Sequence, residues 1–328
     1  MKVVITGGGG FLGRKLARRL LAKGTLLGPS GKEETIDRLV LFDVVEAPPL
    51  AEGDNRVEAV AGDVSDRATM RRVIDGDTAA VFHFAGVVSA GAEADFDLGY
   101  RVNLDGTLAV LEACRALPKP ARLVFTSSLA TYGGEWSEAV DDATPQTPQT
   151  SYGAQKTIGE LLVNDYSRKG FVDGRSLKLP TIVVRPGKPN KAASTFVSSI
   201  IREPLQGQRA ICPVGREVRM AMLSPRRTVD AFIRAHDLPG SAWGPWRSTN
   251  LPAITVSIGE MVDALGRVAG ADPVGRIDWR PDPMIQKMVA TWPGKFGWEK
   301  AKRLGMQPDA DMDSIIRAFI EEDLGEPA

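Results

Sequence analysis

Tyr152 and Lys156 stand four positions apart in the run YGAQK. On a helix that spacing puts a phenol and an ammonium on one face. The pair can move a proton. Taking a hydride from a carbinol carbon also requires loss of the hydroxyl proton, and a tyrosine with an ordinary pKa near ~10 is a poor base at neutral pH. A neighbouring cation favours the phenolate. With Lys156 beside it, Tyr152 can act as base for oxidation and as acid for reduction. The spacing also occurs by chance, and it gains meaning from Ser127-Ser128, which close the run VFTSS. Ligands of an open α/β sheet bind at the carboxyl ends of its strands. A hydroxyl there can bond a substrate oxygen and help hold its developing charge. The alternative for Ser128 is a turn or helix cap.

Such residues need a sheet with helices on it. Lys2–Thr6 is a short β-rich run, followed by glycines and an amphipathic helix through Leu12, Leu16, Leu20 and Leu21. Further strands are expected at Arg38–Asp43, Val57–Val60, Ala80–Phe84, Arg122–Thr126 and Thr181–Val184, with helices at 68–74, 100–116 and 152–169 between them. Gly24–Thr35, rich in Gly, Ser and charge, reads as a surface loop. Strands alternating with helices imply right-handed crossovers and a parallel sheet covered on both faces. The fold class is therefore α/β, a Rossmann-type doubly wound parallel sheet with a smaller mixed α/β C-terminal domain. Residues 1–186 are expected to form the first domain, with part of 224–254 returning to it, and 187–328 mainly the second. Helices are expected there at 196–202, 257–269 and 312–323.

In TGGGGFLG, glycines stand at positions 7, 10 and 13. Strand, glycine turn and helix in that order suit a dinucleotide. Gly7 permits the tight turn, Gly10 lets a pyrophosphate approach the backbone, and Gly13 packs helix on sheet. The N–H groups of the helix start, at Phe11 and Leu12, meet the negative charge. Asp43, closing the second strand, can accept from the ribose hydroxyls and would repel a 2′-phosphate, which favours NAD over NADP. Gly62-Asp63-Val64 follows the third strand; Asp63 is placed to cap the adenine amino group or, alternatively, the next helix.

The bulk numbers narrow the class. The chain has 328 residues, 43% hydrophobic and 25% charged, with 41 basic and 41 acidic side chains. That balance suits a globular protein with a sizeable core and gives no reason to expect nucleic acid or a membrane as partner. No apolar stretch has the ~18–20 residues of a membrane span, and the N-terminus reads as a buried strand, so the cytoplasm is the expected location. Cys114 and Cys212 lack metal-ligand spacing and read as buried small hydrophobes. Two histidines, His83 and His236, rule out a His-rich metal site, and no metal is expected.

Taken in order, the glycine loop, Asp43, Asp63, His83-Phe84-Ala85-Gly86, Asn103 with Gly106-Thr107, Ser128, Tyr152 and Lys156 strongly resemble the extended short-chain dehydrogenase/reductase family, which includes the nucleotide-sugar epimerases and dehydratases. The resemblance spans nearly the whole chain and is sharpest over 1–187. It implies that Ala85 and Gly86 line the cofactor cleft and that Asn103 supports it. It makes Ser128, Tyr152 and Lys156 the catalytic trio, and it sends the strand end at Arg185-Pro186-Gly187 past the nicotinamide. It places His83 in a packing role.

Within that family a dehydratase would carry an acidic pair just after the catalytic hydroxyl, where this chain has Leu129 and Ala130. An epimerase commonly has an Arg, matched by Arg219, followed by a His-Val-x-Asp-like segment that MLSPRR does not match. The runs RPGKPNKAAS, REPLQG and WPGKFGWEKAKRLG are similar to a sugar-acid dehydrogenase group whose members oxidise D-erythronate at C2 with NAD. The expected reaction is therefore oxidation of a small hydroxy sugar acid, and a nucleotide-sugar 4-epimerase is the alternative kept. Cations near the nicotinamide would clamp a carboxylate. Arg219 and Lys188 are the candidates for it, Asn190 and Ser194 for the remaining hydroxyls, and Ser89 is a further contact. By analogy with family members that pair through the helices after Asn103 and Tyr152, a homodimer is left open.

Overall fold

The computed structural model describes residues 1–50, 54–134, 139–187, 194–290 and 296–325. Seven strands form the central sheet: β1 (Lys2–Thr6), β2 (Arg38–Asp43), β3 (Val57–Ala61), β4 (Thr78–His83), β5 (Arg122–Ser128), β6 (Asp173–Leu179) and β7 (Ser248–Asn250). Their order is β7-β6-β5-β4-β1-β2-β3. The ladders joining β3, β2, β1, β4 and β5 are parallel. The strand order reverses between β1 and β4, and such a reversal opens a crevice at the carboxyl ends of the strands. The glycine loop leaves β1 at that point.

Helices cover the sheet: α1 (Phe11–Lys23), α2 (Arg67–Val73), α3 (Ser89–Ala94), α4 (Gly106–Arg115) and α5 (Ser151–Arg168). In α1, Leu12, Leu16 and Leu20 recur every four residues and are buried, as an amphipathic helix requires. Helix α5 seats closely on β5, because a Cβ at Gly159 would stand 2.6 Å from the ring of Phe125. Thr150 caps α5 by accepting the Gly153 N–H at 3.0 Å. Val4, Val40, Val81, Leu123 and Phe125 belong to the core of this sheet, each such side chain contributing roughly 1.5–3 kcal/mol on burial. Both cysteines are buried thiols, and burial pushes Cys114 up to about 12.

Three expectations need correction. The sixth strand of the sheet is Asp173–Leu179; Thr181–Ile182 instead pairs in parallel with Arg219–Leu223 in a separate three-stranded sheet completed by Ile254–Ser257. The run DGRSLKL hides its strand because Arg175 and Lys178, both fully buried, carry charges that are made tolerable by Asp173 in the same strand and by the Leu238 carbonyl and Glu160 elsewhere in the fold. Gly24–Thr35 contains a hairpin, Thr25–Leu27 against Glu33–Thr35, with Leu26 buried beneath it. The helix expected over 100–116 opens with a π-helical turn, Tyr100–Asp105, before α4 begins.

By contacts the chain forms two compact units. The first holds Met1–Thr131, Pro148–Lys178 and Val229–Thr249; the second holds Tyr132–Thr147, Leu179–Thr228 and Asn250–Ala328. The second has its own core, with Ile200, Met222, Leu265 and Phe319 fully or almost fully buried. Among the described residues, no helix is long and apolar enough to cross a membrane, and no cluster of His, Cys, Asp or Glu could hold a metal.

Candidate active site

The glycine loop is built so that side chains cannot fill it. Gly7 has φ +72°, and a Cβ there would lie 2.7 Å from the Ala85 nitrogen. A Cβ at Gly13 would lie 2.3 Å from the Gly7 carbonyl oxygen, so α1 can approach the loop only with glycine. At Gly10 the nearest atom to a Cβ is that same oxygen at 3.3 Å; the space on that side is open, as a ligand approaching the backbone needs. Gly8 is equally constrained, 2.8 Å from the Leu41 Cα, a requirement that the 7-10-13 spacing does not reveal. No side chain caps α1 and its first turn has no acidic residue, leaving the positive helix end to an anion.

Asp43 closes this cradle. Its Oδ2 accepts the Gly9 N–H at 2.9 Å and its Oδ1 the Val44 N–H at 2.7 Å. Each oxygen keeps a lone pair for a hydroxyl donor. Asp63 accepts from the backbone and hydroxyl of Ser65, which hold its carboxyl below the usual range. It does not cap the following helix; Asp66 does, accepting from Ala68 N. Val64 is buried against Gly106, where a Cβ would meet it at 2.7 Å.

A buried polar chain sets the wall beyond β4. The Thr107 hydroxyl donates to the Asn103 carbonyl at 2.6 Å, so it accepts from His83 Nε2 at 3.0 Å, and His83 Nδ1 then accepts from the Thr6 hydroxyl at 2.6 Å. Those roles assign a neutral, Nε2-protonated imidazole. Burial, with Lys156 adding to it, lowers His83 to about 3, consistent with packing and not with proton transfer. Asn103 clamps Val87 at both ends, accepting its N–H at 2.8 Å and donating to its carbonyl at 3.1 Å. A Cβ on Gly86 would stand 2.9 Å from Asn103 Oδ1 and 3.5 Å from Lys156 Nζ, so Ala85-Gly86, Asn103 and Lys156 are brought together.

Tyr152 and Lys156 share a face of α5, with the ammonium 5.7 Å from the centroid of the Tyr152 ring and 4.9 Å from that of Phe125. Tyr152 is half-buried and Lys156 is buried. Burial lowers the Lys156 ammonium to about 8, and Glu160 pulls the other way. Ser128 ends β5, and its Oγ accepts the Ala130 N–H at 3.1 Å. A Cβ on Gly153 would stand 2.0 Å from the Ala130 carbonyl oxygen. The residue after Tyr152 is thus pressed on the turn that follows Ser128, which only a glycine allows.

The other expected residues are placed as follows. Ser89 begins α3. Ser194 precedes the helix Thr195–Leu205 without a side-chain capping bond. Arg219 is half-exposed, donating to the Thr255 carbonyl at 2.9 Å and pairing with Glu260 at 3.3 Å. The central strand expected to run into Arg185-Pro186-Gly187 ends at Leu179, and Pro186 lies in the second unit. Lys188 and Asn190 lie outside the described residues. Two buried residues escaped the sequence reading: Gln155, which accepts from Asn103 Nδ2 at 2.7 Å, and Glu160, paired with Lys178 at 2.9 Å. Glu160 had a signal, since it stands four residues past Lys156 on the same helix face.

Comparison with known proteins bears on this arrangement. Residues 3–240 match the model of the NAD dependent epimerase/dehydratase family. The chain is 53% identical over 322 residues to the D-erythronate dehydrogenase of Cupriavidus necator, covering 98% of each protein. It is 45% identical to the D-erythronate dehydrogenase of Haemophilus influenzae over 99% of this chain and 100% of that one. Among solved structures, that of the nucleoside-diphosphate-sugar epimerase from Agrobacterium tumefaciens is similar with a TM-score of 0.93 at 39% identity, over 99% of this chain and 95% of the other.

Proposed function

The chain belongs to the NAD-dependent epimerase/dehydratase family, and from that membership we propose that it oxidises a small hydroxy sugar acid, D-erythronate, at C2 to 2-dehydro-D-erythronate with NAD. The observation that carries the reading is near-full-length identity of 53% and 45% to two D-erythronate dehydrogenases. The site is compatible with it: the dinucleotide cradle is open at Gly10, and Asp43 stands at its edge with free acceptor capacity.

A nicotinamide, when bound, supplies the hydride acceptor. The chain's own residues handle the proton and the charge. Tyr152 Oη takes the proton of the C2 hydroxyl, Ser128 Oγ hydrogen-bonds the same oxygen, and the Lys156 ammonium favours the phenolate. The neighbours of Ser128, Leu129 and Ala130, carry no acid to expel a hydroxyl, which argues against dehydration. For the substrate carboxylate, Arg219 would exchange its exposed partner Glu260 for the ligand. Lys188, Asn190, Ser194 and Ser89 complete the proposed substrate contacts.

A second reading, nucleotide-sugar 4-epimerase, is favoured by the 39% identity to the Agrobacterium nucleoside-diphosphate-sugar epimerase. NADH formation measured across four- to six-carbon aldonates, with UDP-hexoses as controls, separates the two. D-erythronate is expected to be the best of the acids. Turnover of UDP-hexoses with no aldonate active would replace the first reading by the second.

A further inference from the structure

One helical turn beyond Lys156 lies a buried acid that the proposed chemistry does not use. Glu160 is 1% exposed, and both its oxygens are held. Oε1 accepts the hydroxyl of Ser127 from β5, and Oε2 meets Lys178 Nζ from β6 at 2.9 Å. Lys178 also donates to Ser248 Oγ at 2.9 Å. The close seat of Gly159 on Phe125 is what brings Glu160 within reach of Ser127. Lys178 is thus ion-paired with this buried carboxylate, and the buried Lys156 ammonium, four residues back on the same helix face, lies within its electrostatic reach.

We propose that Glu160, clamped by Ser127 and Lys178, is a positioning residue whose carboxylate supplies the counter-charge that keeps the Lys156 ammonium beside Tyr152. The inference rests on the reading of Tyr152 and Lys156 as the acid–base pair. Among the described residues, the ionisable and aromatic groups around Lys156 are Tyr152 and Glu160 on its own helix, Phe125 from β5, and His83 from β4, with the Gly86 backbone close to its Nζ. His83 is neutral, and the Phe125 and Tyr152 rings offer their faces but no formal charge in the resting enzyme. An ammonium so enclosed sheds its proton unless a carboxylate offsets the desolvation. Lys178 competes for that carboxylate, so Glu160 and Lys178 act on Lys156 with opposite sign.

That opposition provides the test. Turnover in the oxidative direction should fall on the alkaline side as Lys156 deprotonates, near its value of about 8. Glu160→Gln keeps an acceptor for Ser127 and removes the charge; the alkaline limb of the kcat–pH profile is expected to move down by about one pH unit or more. Lys178→Met leaves the carboxylate to Lys156, and the limb is expected to move up. Should Glu160→Gln fail to fold because Lys178 loses its counter-charge, the double variant Glu160→Gln/Lys178→Met restores buried neutrality and is expected to show a smaller downward shift. NMR titration of protein carrying 13C at lysine Cε, without substrate, should show Lys156 moving in the same directions. Shifts of the same sign in both single variants, or limbs and resonances that do not move, would overturn the proposal. Tyr152→Phe is run alongside. If it is inactive while the limbs stay put, the counter-ion role alone fails. If it keeps most turnover, the catalytic assignment fails, and the NMR titration alone decides the role of Glu160.

Discussion

Asn103 Nδ2 donates to Gln155 Oε1 at 2.7 Å in the interior, one residue before Lys156. The bond ties the π-helical turn to α5 and fixes which way the Asn103 amide points, so that its oxygen meets the Val87 N–H. Gln155 Nε2 has no partner among the described residues, and a Cβ at Gly99 would crowd it at 2.8 Å. Gln155→Met keeps the volume and removes the bond. A lost buried hydrogen bond costs about 1 kcal/mol, and part of that is returned because Nε2 no longer goes unpaired. The expected result is a small drop in stability, but roughly a fivefold weaker cofactor affinity as the Gly86–Val87 wall loosens, a factor worth about 1 kcal/mol. NADH fluorescence titration reads it, and unchanged affinity would show that Asn103 is held well enough by Val87.

For Tyr152→Phe, the proposed chemistry requires that cofactor affinity be kept while turnover falls about 10²–10⁴-fold, the usual worth of a positioned acid–base group. Lys156 retains its place over the ring, since a phenyl offers the same face. Pre-steady-state NADH formation and equilibrium NAD binding measured on one preparation separate the two effects. A loss of binding equal to the loss of turnover would mean that the phenol positions the cofactor and does no proton transfer.

The features of the fold that were legible in the sequence are those with a local cause. The glycine loop announces itself because Gly7 must adopt a positive φ and Gly13 must admit a carbonyl. The first five strands of the sheet are apolar runs. What stayed hidden depends on partners distant in the chain. Strand β6 carries Arg175 and Lys178 inward, where the Leu238 carbonyl and Glu160 receive them, and no periodicity shows that a charged run can be buried. The role of Gln155 is invisible because its neighbour, Asn103, sits on another helix and is presented by a π-helical turn. Asp63 is the converse case. The sequence offers Asp63 as an alternative cap of the next helix, and only the bond from Ala68 N to the Asp66 carboxylate shows that the cap is Asp66.

Asp43 joins two roles that mutation can part. Its carboxylate braces Gly9 and is the proposed reader of the ribose hydroxyls. Asp43→Asn keeps an oxygen for the Gly9 N–H but removes the charge that would repel a 2′-phosphate; Asp43→Ala removes both. The asparagine variant is expected to relax the preference for NAD over NADP with little loss of stability, whereas the alanine variant also loosens the loop and weakens both cofactors. Ratios of kcat/KM for the two dinucleotides, with thermal unfolding of each variant, check this. An unchanged ratio in both would assign the discrimination to another residue.

His83 makes a statement about acid stability. Its folded value of about 3 lies below the ordinary ~6.5. Below that ordinary value the unfolded chain binds a proton that the native imidazole, already donating to Thr107 and accepting from Thr6, does not take. Stability from this residue is therefore full above pH ~6.5 and declines as the pH falls toward 3. Between pH 7 and pH 5 the loss should be about 2 kcal/mol. His236, also buried and also lowered, adds a slope of the same sign, so the comparison needs His83→Gln, which can still donate and accept but does not titrate. Urea unfolding of both proteins at pH 7 and pH 5 is expected to show the wild type losing about 2 kcal/mol more than the variant. Equal losses would mean that the imidazole takes up a proton within the fold, and the neutral tautomer assigned from Thr107 and Thr6 would have to be given up.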